Sequence, residues 1–150
     1  MRNRVETHIE APPERVWAFI SDFSTYPDWN PLTPRVEGRC EAGARVRAWV
    51  QLRGDPFLMP RRILDVRPAA RFAWTSATWY AWMVPGERVL TLTAVDGGTL
   101  LVDEERIGGL GFLIRGTLRA AVLAKLEAFG AGLKRVAEDG GAAIARPVPG

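Results

Sequence analysis

The chain has 150 residues, enough for one domain around a single core, with 47% apolar and 25% charged residues, an ordinary globular composition. Its net charge is +3, and 18 of its 20 basic residues are arginine, dispersed without any block of five like charges. The electrostatic footprint of a nucleic-acid binder is therefore missing, and the lone Cys40 excludes an internal disulfide and fits a reducing compartment.

Val5, Thr7 and Ile9 alternate with Arg4, Glu6, His8 and Glu10, the period of a half-buried first strand. His8, the only histidine, falls on the polar face, so a histidine triad or histidine metal cluster is not expected. Ala11-Pro12-Pro13-Glu14 opens a helix, since proline is tolerated in a first turn and Glu14 suits the positive end of the dipole. Val16, Trp17, Phe19, Ile20 and Phe23 form its apolar stripe. Ser24 is expected to cap a second short helix that Pro27 ends or bends before Trp29-Asn30-Pro31. The helix pair is expected to sit as a lid or brace at one end of a sheet.

From Arg35 to Ile107 the pattern is strands and turns. Val46, Ala48, Val50 and Leu52 alternate with Arg45, Arg47, Trp49, Gln51 and Arg53, and Gly54-Asp55-Pro56 marks a turn. Phe57 to Val66 reads as the next strand, with Pro60 arguing for a bulge or an edge position. Arg71 to Thr78 and Val89 to Val95 follow, then the hairpin signal Asp96-Gly97-Gly98 and a closing strand, Thr99 to Ile107. Gly108-Gly109-Leu110-Gly111 hinges into a long helix, Phe112 to Glu138. There Leu118, Val122, Leu126, Phe129, Leu133 and Val136 share one face. Gly130 and Gly132 each cost about 1 kcal/mol in a helix interior, so this helix must be held by packing. Asp139-Gly140-Gly141 is expected to stop it, leaving residues 139–150 as a disordered tail after a domain of residues 1–138.

One strand, two short helices, about six antiparallel strands and a long helix make an α+β arrangement. Val5-Glu6-Thr7-His8 is not a signal-peptide core, and Arg115, Arg119 and Lys125 break the most apolar stretch, Leu110 to Leu126. A cytoplasmic monomer or homodimer, without stable membrane insertion, is expected.

The run Ile9-x-Ala11-Pro12-Pro13-Glu14-x-Val16-Trp17-x-x-Ile20-x-Asp22-Phe23, followed by Tyr26-Pro27-x-Trp29-Asn30-Pro31, resembles the opening of the START-like superfamily (SRPBCC), in its polyketide cyclase/dehydrase branch. Arg71-Phe72-Ala73-Trp74, Gly97-Gly98-Thr99 and Glu127-Ala128-Phe129-x-Ala131-x-Leu133-Lys134 resemble three later segments of that family. The resemblance covers roughly residues 3 to 138. It implies a helix-grip fold, a curved antiparallel sheet of about seven strands wrapped around the last helix with a hydrophobic cavity between them. Two positions depart from the pattern: Arg88 and Asp103 stand where members often carry histidine, so imidazole chemistry there is not carried over.

Within such a cavity, Trp74, Ser76 and Thr78 would share a strand face as an apolar wall with polar handles, while Trp79, Tyr80, Trp82 and Met83 would form an aromatic rim, a core segment or a dimer surface. Leu101 on the closing strand and Phe129, Gly130 and Leu133 on the helix complete the candidate ligand-binding set. Asp103 and Glu105 share the face of Leu101 and Ile107. If that face looks inward, they would have raised pKa values or an arginine partner, as general acids and bases do. Arg45, Arg47, Arg53, Arg61 and Arg62 are candidates for holding an acidic ligand head, or form a solvated face. Cys40 has no histidine to activate it, Ser21 and Ser24 lack nucleophile-elbow context, and no phosphate loop or metal-ligand spacing occurs. No cofactor is expected.

The leading expectation is a carrier or sensor of a small hydrophobic molecule (lipid, sterol, polyketide or other aromatic). The alternatives are a polyketide cyclase/dehydrase-like enzyme using Asp103 or Glu105 as acid and base, and a protein-interaction module built on the aromatic segment 74–83.

Overall fold

The computed structural model describes residues 1–145, with backbone only at 112, 114, 115, 117, 118 and 140–145. Seven antiparallel strands form one sheet in the order β1-β7-β6-β5-β4-β3-β2. These are β1 (Arg2–Ile9), β2 (Arg35–Glu37), β3 (Arg45–Val50), β4 (Phe57–Arg67), β5 (Arg71–Ser76), β6 (Gly86–Val95) and β7 (Gly98–Ile107). Helices α1 (Pro13–Ser21) and α2 (Tyr26–Trp29) follow β1, and α3 (Arg115–Ala145) closes the chain. This is the α+β helix-grip arrangement expected from the sequence.

Period-2 alternation decides which face of each strand is inside. Val46, Ala48 and Val50 on β3, Leu90 and Leu92 on β6, and Leu101 on β7 are buried. Their polar neighbours face out, where Glu104 pairs with Arg2 at 2.6 Å and Arg4 at 3.3 Å. Gly98 turns the β6–β7 hairpin with φ 151°, and a Cβ there would collide with the Ile9 carbonyl, so only glycine fits.

Four local expectations need correction. The second helical segment begins as a 3₁₀ turn, Phe23–Thr25, whose N–H at Ser24 is accepted by Asp22 at 3.1 Å; Asp22, not Ser24, is the cap. Pro27 lies in the first turn of α2 rather than at its end, where its missing N–H is not needed. β4 is an interior strand, and its irregularity falls between Ile63 and Asp65, not at Pro60. Pro60 is tolerated because it faces the end of β5: its carbonyl accepts from Ala77 at 2.9 Å, one residue past that strand. Finally, α3 is preceded by a 3₁₀ segment, Gly109–Ile114, and runs through Asp139-Gly140-Gly141 to Ala145. Glycine weakens a helix without forbidding it. The rest of the expected tail, residues 146–150, lies outside the described residues, as does the Leu118 side chain.

The interior between the sheet and α3 is divided. The C-terminal half of α3 buries Phe129, Leu133 and Ala137 in the main core. There Trp74, Phe72, Phe23, Tyr26, Trp29 and Phe129 form a continuous chain of edge-to-face rings with centroids 5.0–6.5 Å apart. The helix pair thus fills the interior more than it covers it. Close approach requires glycine at two points on α3: a Cβ on Gly132 would strike the Trp29 carbonyl, and one on Gly130 the Thr7 hydroxyl. Toward its N-terminus α3 contributes Val122 and Leu126 to a smaller cluster with Leu32 and Val50. That half is hollow.

Candidate functional site

A cavity of about 360 Å³ occupies the hollow half. Its walls are mainly apolar: Val50 and Leu52 from the end of β3, Phe57 and Met59 from β4, Val84 and Ile107 near the β5–β6 loop, and Val122 from α3. Its polar groups converge from neighbouring strands: Arg61, Ser76, Arg88 and Glu105. Strand parity puts them there. Arg61 occupies the inward series Phe57, Met59, Arg61, Ile63, and Arg88 precedes Leu90 and Leu92 in the inward series of β6.

Arg88 and Asp103, the two positions that depart from the family pattern, meet. Arg88 donates from Nε to Asp103 Oδ1 at 2.9 Å and from Nη2 to Oδ2 at 2.7 Å, and its guanidinium lies 4.2 Å from the Phe129 ring centroid. Both are buried. Burial disfavours the Arg88 cation, but the Asp103 carboxylate, with lesser help from Glu105 and Tyr26, more than offsets this and raises its pKa. Glu105, two residues along β7, faces the cavity instead. Burial pushes its carboxyl above the ordinary range, a rise partly opposed by Arg88 and Arg61.

Arg61 is the cation of the site that has no ion pair within 4 Å among the described residues. Burial lowers its pKa to about 10, so it remains a cation at neutral pH. Nη1 donates to Ser76 Oγ at 3.3 Å, and the guanidinium carbon lies 5.6 Å from the Trp74 ring centroid. Its Nε and the indole Nε1 of Trp74 are both buried without a protein partner among the described residues. An unpaired buried donor costs about 1–3 kcal/mol. Both donors belong to side chains that line the cavity, while the two nitrogens themselves sit just behind its surface.

The residues expected at the site are therefore dispersed. Trp74, Ser76, Tyr80 and Glu105 line the cavity. Thr78 does not share their face, because β5 ends at Ser76; its buried hydroxyl has no protein partner among the described residues. Trp79 and Trp82 point to solvent, at 84% and 80% exposure. Leu101, Phe129 and Leu133 belong to the filled core, and Gly130 abuts Thr7. Of the five arginines considered, Arg61 enters the cavity, while Arg45, Arg47, Arg53 and Arg62 are exposed. Burial raises the Cys40 thiol pKa, the opposite of what a nucleophile needs. Among the described residues no group of three His, Cys, Asp or Glu is placed to hold a metal, and no helix is long and apolar enough to cross a membrane.

The sequence profile of the polyketide cyclase / dehydrase and lipid transport family matches residues 2–138. Among solved structures, the Zhui aromatase/cyclase from a Streptomyces species superposes with a TM-score of 0.79 at 22% identity, covering 98% of this chain and 99% of that one. A Thermus thermophilus protein superposes at 0.76 with 19% identity, over 97% and 100% of the two chains. The Aha1 dimer from Colwellia psychrerythraea gives 0.74 at 18% identity, over 93% and 98%. At these identities the likeness is one of fold. No curated protein matches the chain in sequence.

Proposed function

The chain belongs to the polyketide cyclase / dehydrase and lipid transport family, and from that premise we propose that it binds a small, mostly apolar molecule in the cavity under the N-terminal half of α3, as a carrier or sensor. The observation that carries this reading is the pairing of apolar walls with two buried, unpartnered donors, Arg61 Nε and Trp74 Nε1. Apolar burial supplies affinity at about 25 cal/mol per Å². The donors supply orientation, because a carbonyl, phenolate or carboxylate oxygen that reaches either one after a small side-chain adjustment satisfies a group that is otherwise desolvated for nothing.

The test is a thermal-shift screen of lipids, sterols and aromatic polyketides against the wild type and a cavity-filling Val122→Phe variant. A ligand that binds only the folded state must raise its melting temperature. The reading predicts shifts in the wild type that vanish in the filled variant. No shift across the panel would overturn it.

A second reading, a polyketide cyclase/dehydrase-like enzyme, is favoured by Glu105. A carboxyl held toward its protonated form beside Arg61 suits proton transfer to or from a folded chain. Asp103 is committed to Arg88, so Glu105 would have to act alone. Turnover of a linear polyketide by the wild type but not by Glu105→Gln would establish this; ligand binding without turnover would leave the carrier.

A further inference from the structure

The β5–β6 loop and the 3₁₀ segment Gly109–Ile114 form one surface at the cavity mouth. Leu110 N–H donates to the Met83 carbonyl and Gly108 N–H to the Pro85 carbonyl, both at 2.9 Å. Tyr80 and Val84 of the loop, and Ile107 beside the segment, line the cavity. Their neighbours do the reverse. Trp79 is 84%, Trp82 80%, Leu113 67% and Leu110 46% exposed. Four large apolar side chains thus face solvent on the two segments that adjoin the cavity lining, where a single exposed residue would need no explanation.

The charge of these two segments is one-sided along the sequence. Residues 77–86 carry no charge, and from 106 to 126 the chain has Arg106, Arg115, Arg119 and Lys125 with no acidic residue. Arg119 is exposed, whereas Arg106 lies opposite Glu87 in the β6–β7 register and is offset by it. Indole rings favour the boundary between water and lipid headgroups, and an apolar patch flanked by cations has the composition of a surface that lies in an anionic interface. A second copy of this chain would cover the same apolar side chains but, by two-fold symmetry, would bring like charges together. Anionic lipid covers the patch and neutralises its flank at once.

We infer that the rim formed by Trp79, Trp82, Leu110 and Leu113 docks reversibly on an anionic lipid surface, with the cavity mouth facing the membrane. An apolar ligand then passes between bilayer and cavity without crossing water. The inference rests on the ligand-binding reading above and names the surface from which that site is loaded.

The full chain is sedimented with phosphatidylcholine vesicles, with and without phosphatidylserine. Binding to the serine-containing vesicles is expected to be about tenfold stronger and to weaken with salt. The double variant Trp79→Ala/Trp82→Ala is expected to lose most of that binding, and Arg119→Glu to lose the preference for phosphatidylserine. All three positions are exposed, so melting temperatures and cavity-ligand shifts should stay at wild-type values. Binding to neither vesicle, or binding unchanged in the double variant, would overturn the inference. Self-association abolished by the double variant, without vesicle binding, would overturn it in favour of a second copy. Vesicle binding without any ligand-induced shift would uphold the surface and sink the cavity reading.

Discussion

Arg88 and Asp103 clasp each other through two hydrogen bonds of 2.9 and 2.7 Å, one strand apart and out of solvent. Each neutralises a charge that the interior would not otherwise tolerate. Asp103→Asn leaves the guanidinium uncompensated and should lower stability by about 3–5 kcal/mol. The double variant Arg88→Met/Asp103→Leu should recover much of that loss. Urea unfolding of the three proteins measures both effects, and equal stability of Asp103→Asn and wild type would contradict the account.

Arg61 predicts the opposite relation between stability and function. Its Nε is buried without a protein partner, so Arg61→Met should leave the melting temperature unchanged or raise it. The same substitution should abolish the stabilisation given by ligands with a carbonyl or carboxylate and spare that given by plain hydrocarbons. A paired thermal-shift series decides the point.

Glu105 links the cavity to pH. Its folded-state pKa lies above the ordinary 4.5, because burial disfavours the charge. Between the two values the folded chain holds a proton that the unfolded chain has released. The contribution is therefore fully present below about pH 4.5 and is lost as pH rises through the folded pKa. Glu105→Gln removes this loss, so the variant should gain on the wild type as pH rises from about 4 to about 8. Parallel stability curves for the two proteins would show that Glu105 is not desolvated.

Gly132 tests the packing of α3. Helix propensity alone favours alanine by about 1 kcal/mol. A Cβ at this position, however, would collide with the Trp29 carbonyl, which is backbone and cannot swing away. Gly132→Ala should therefore destabilise by roughly 1–3 kcal/mol. A stabilised variant, read by thermal unfolding, would mean that α3 and α2 have room to separate.

Much of this architecture was legible in period and turn chemistry. The alternation of β1, the Asp96-Gly97-Gly98 hairpin and the apolar stripe of α3 rest on local rules. The inward parity of Asp103 and Glu105 followed from Leu101 and Ile107. Arg61 could have been singled out in the same way, since it interrupts the series Phe57, Met59, Ile63; grouping it with the exposed arginines hid that signal. Other features depended on long-range contacts. Thr78 left the Trp74 face because β5 stops at Ser76. Phe129 and Leu133 missed the cavity because rings from residues 23–29, a hundred or more positions away, fill that end of the interior.

The anchoring of α3 has a mechanical consequence. Lys134 donates to the His8 carbonyl, Glu138 accepts from Glu10 N–H, Arg135 donates to the Asp28 carbonyl, and Arg15 donates to the Ala137 carbonyl. These ties lie between residues 134 and 138, while the stretch over the cavity rests on the apolar contacts of Val122 and Leu126. The N-terminal end is held in a different way, through the 3₁₀ segment whose Leu110 N–H donates to the Met83 carbonyl at 2.9 Å. The helix is a beam supported at both ends, and the span between them bridges the cavity without filling it. One helix thus serves as foundation at its C-terminal half and as cavity roof at the other.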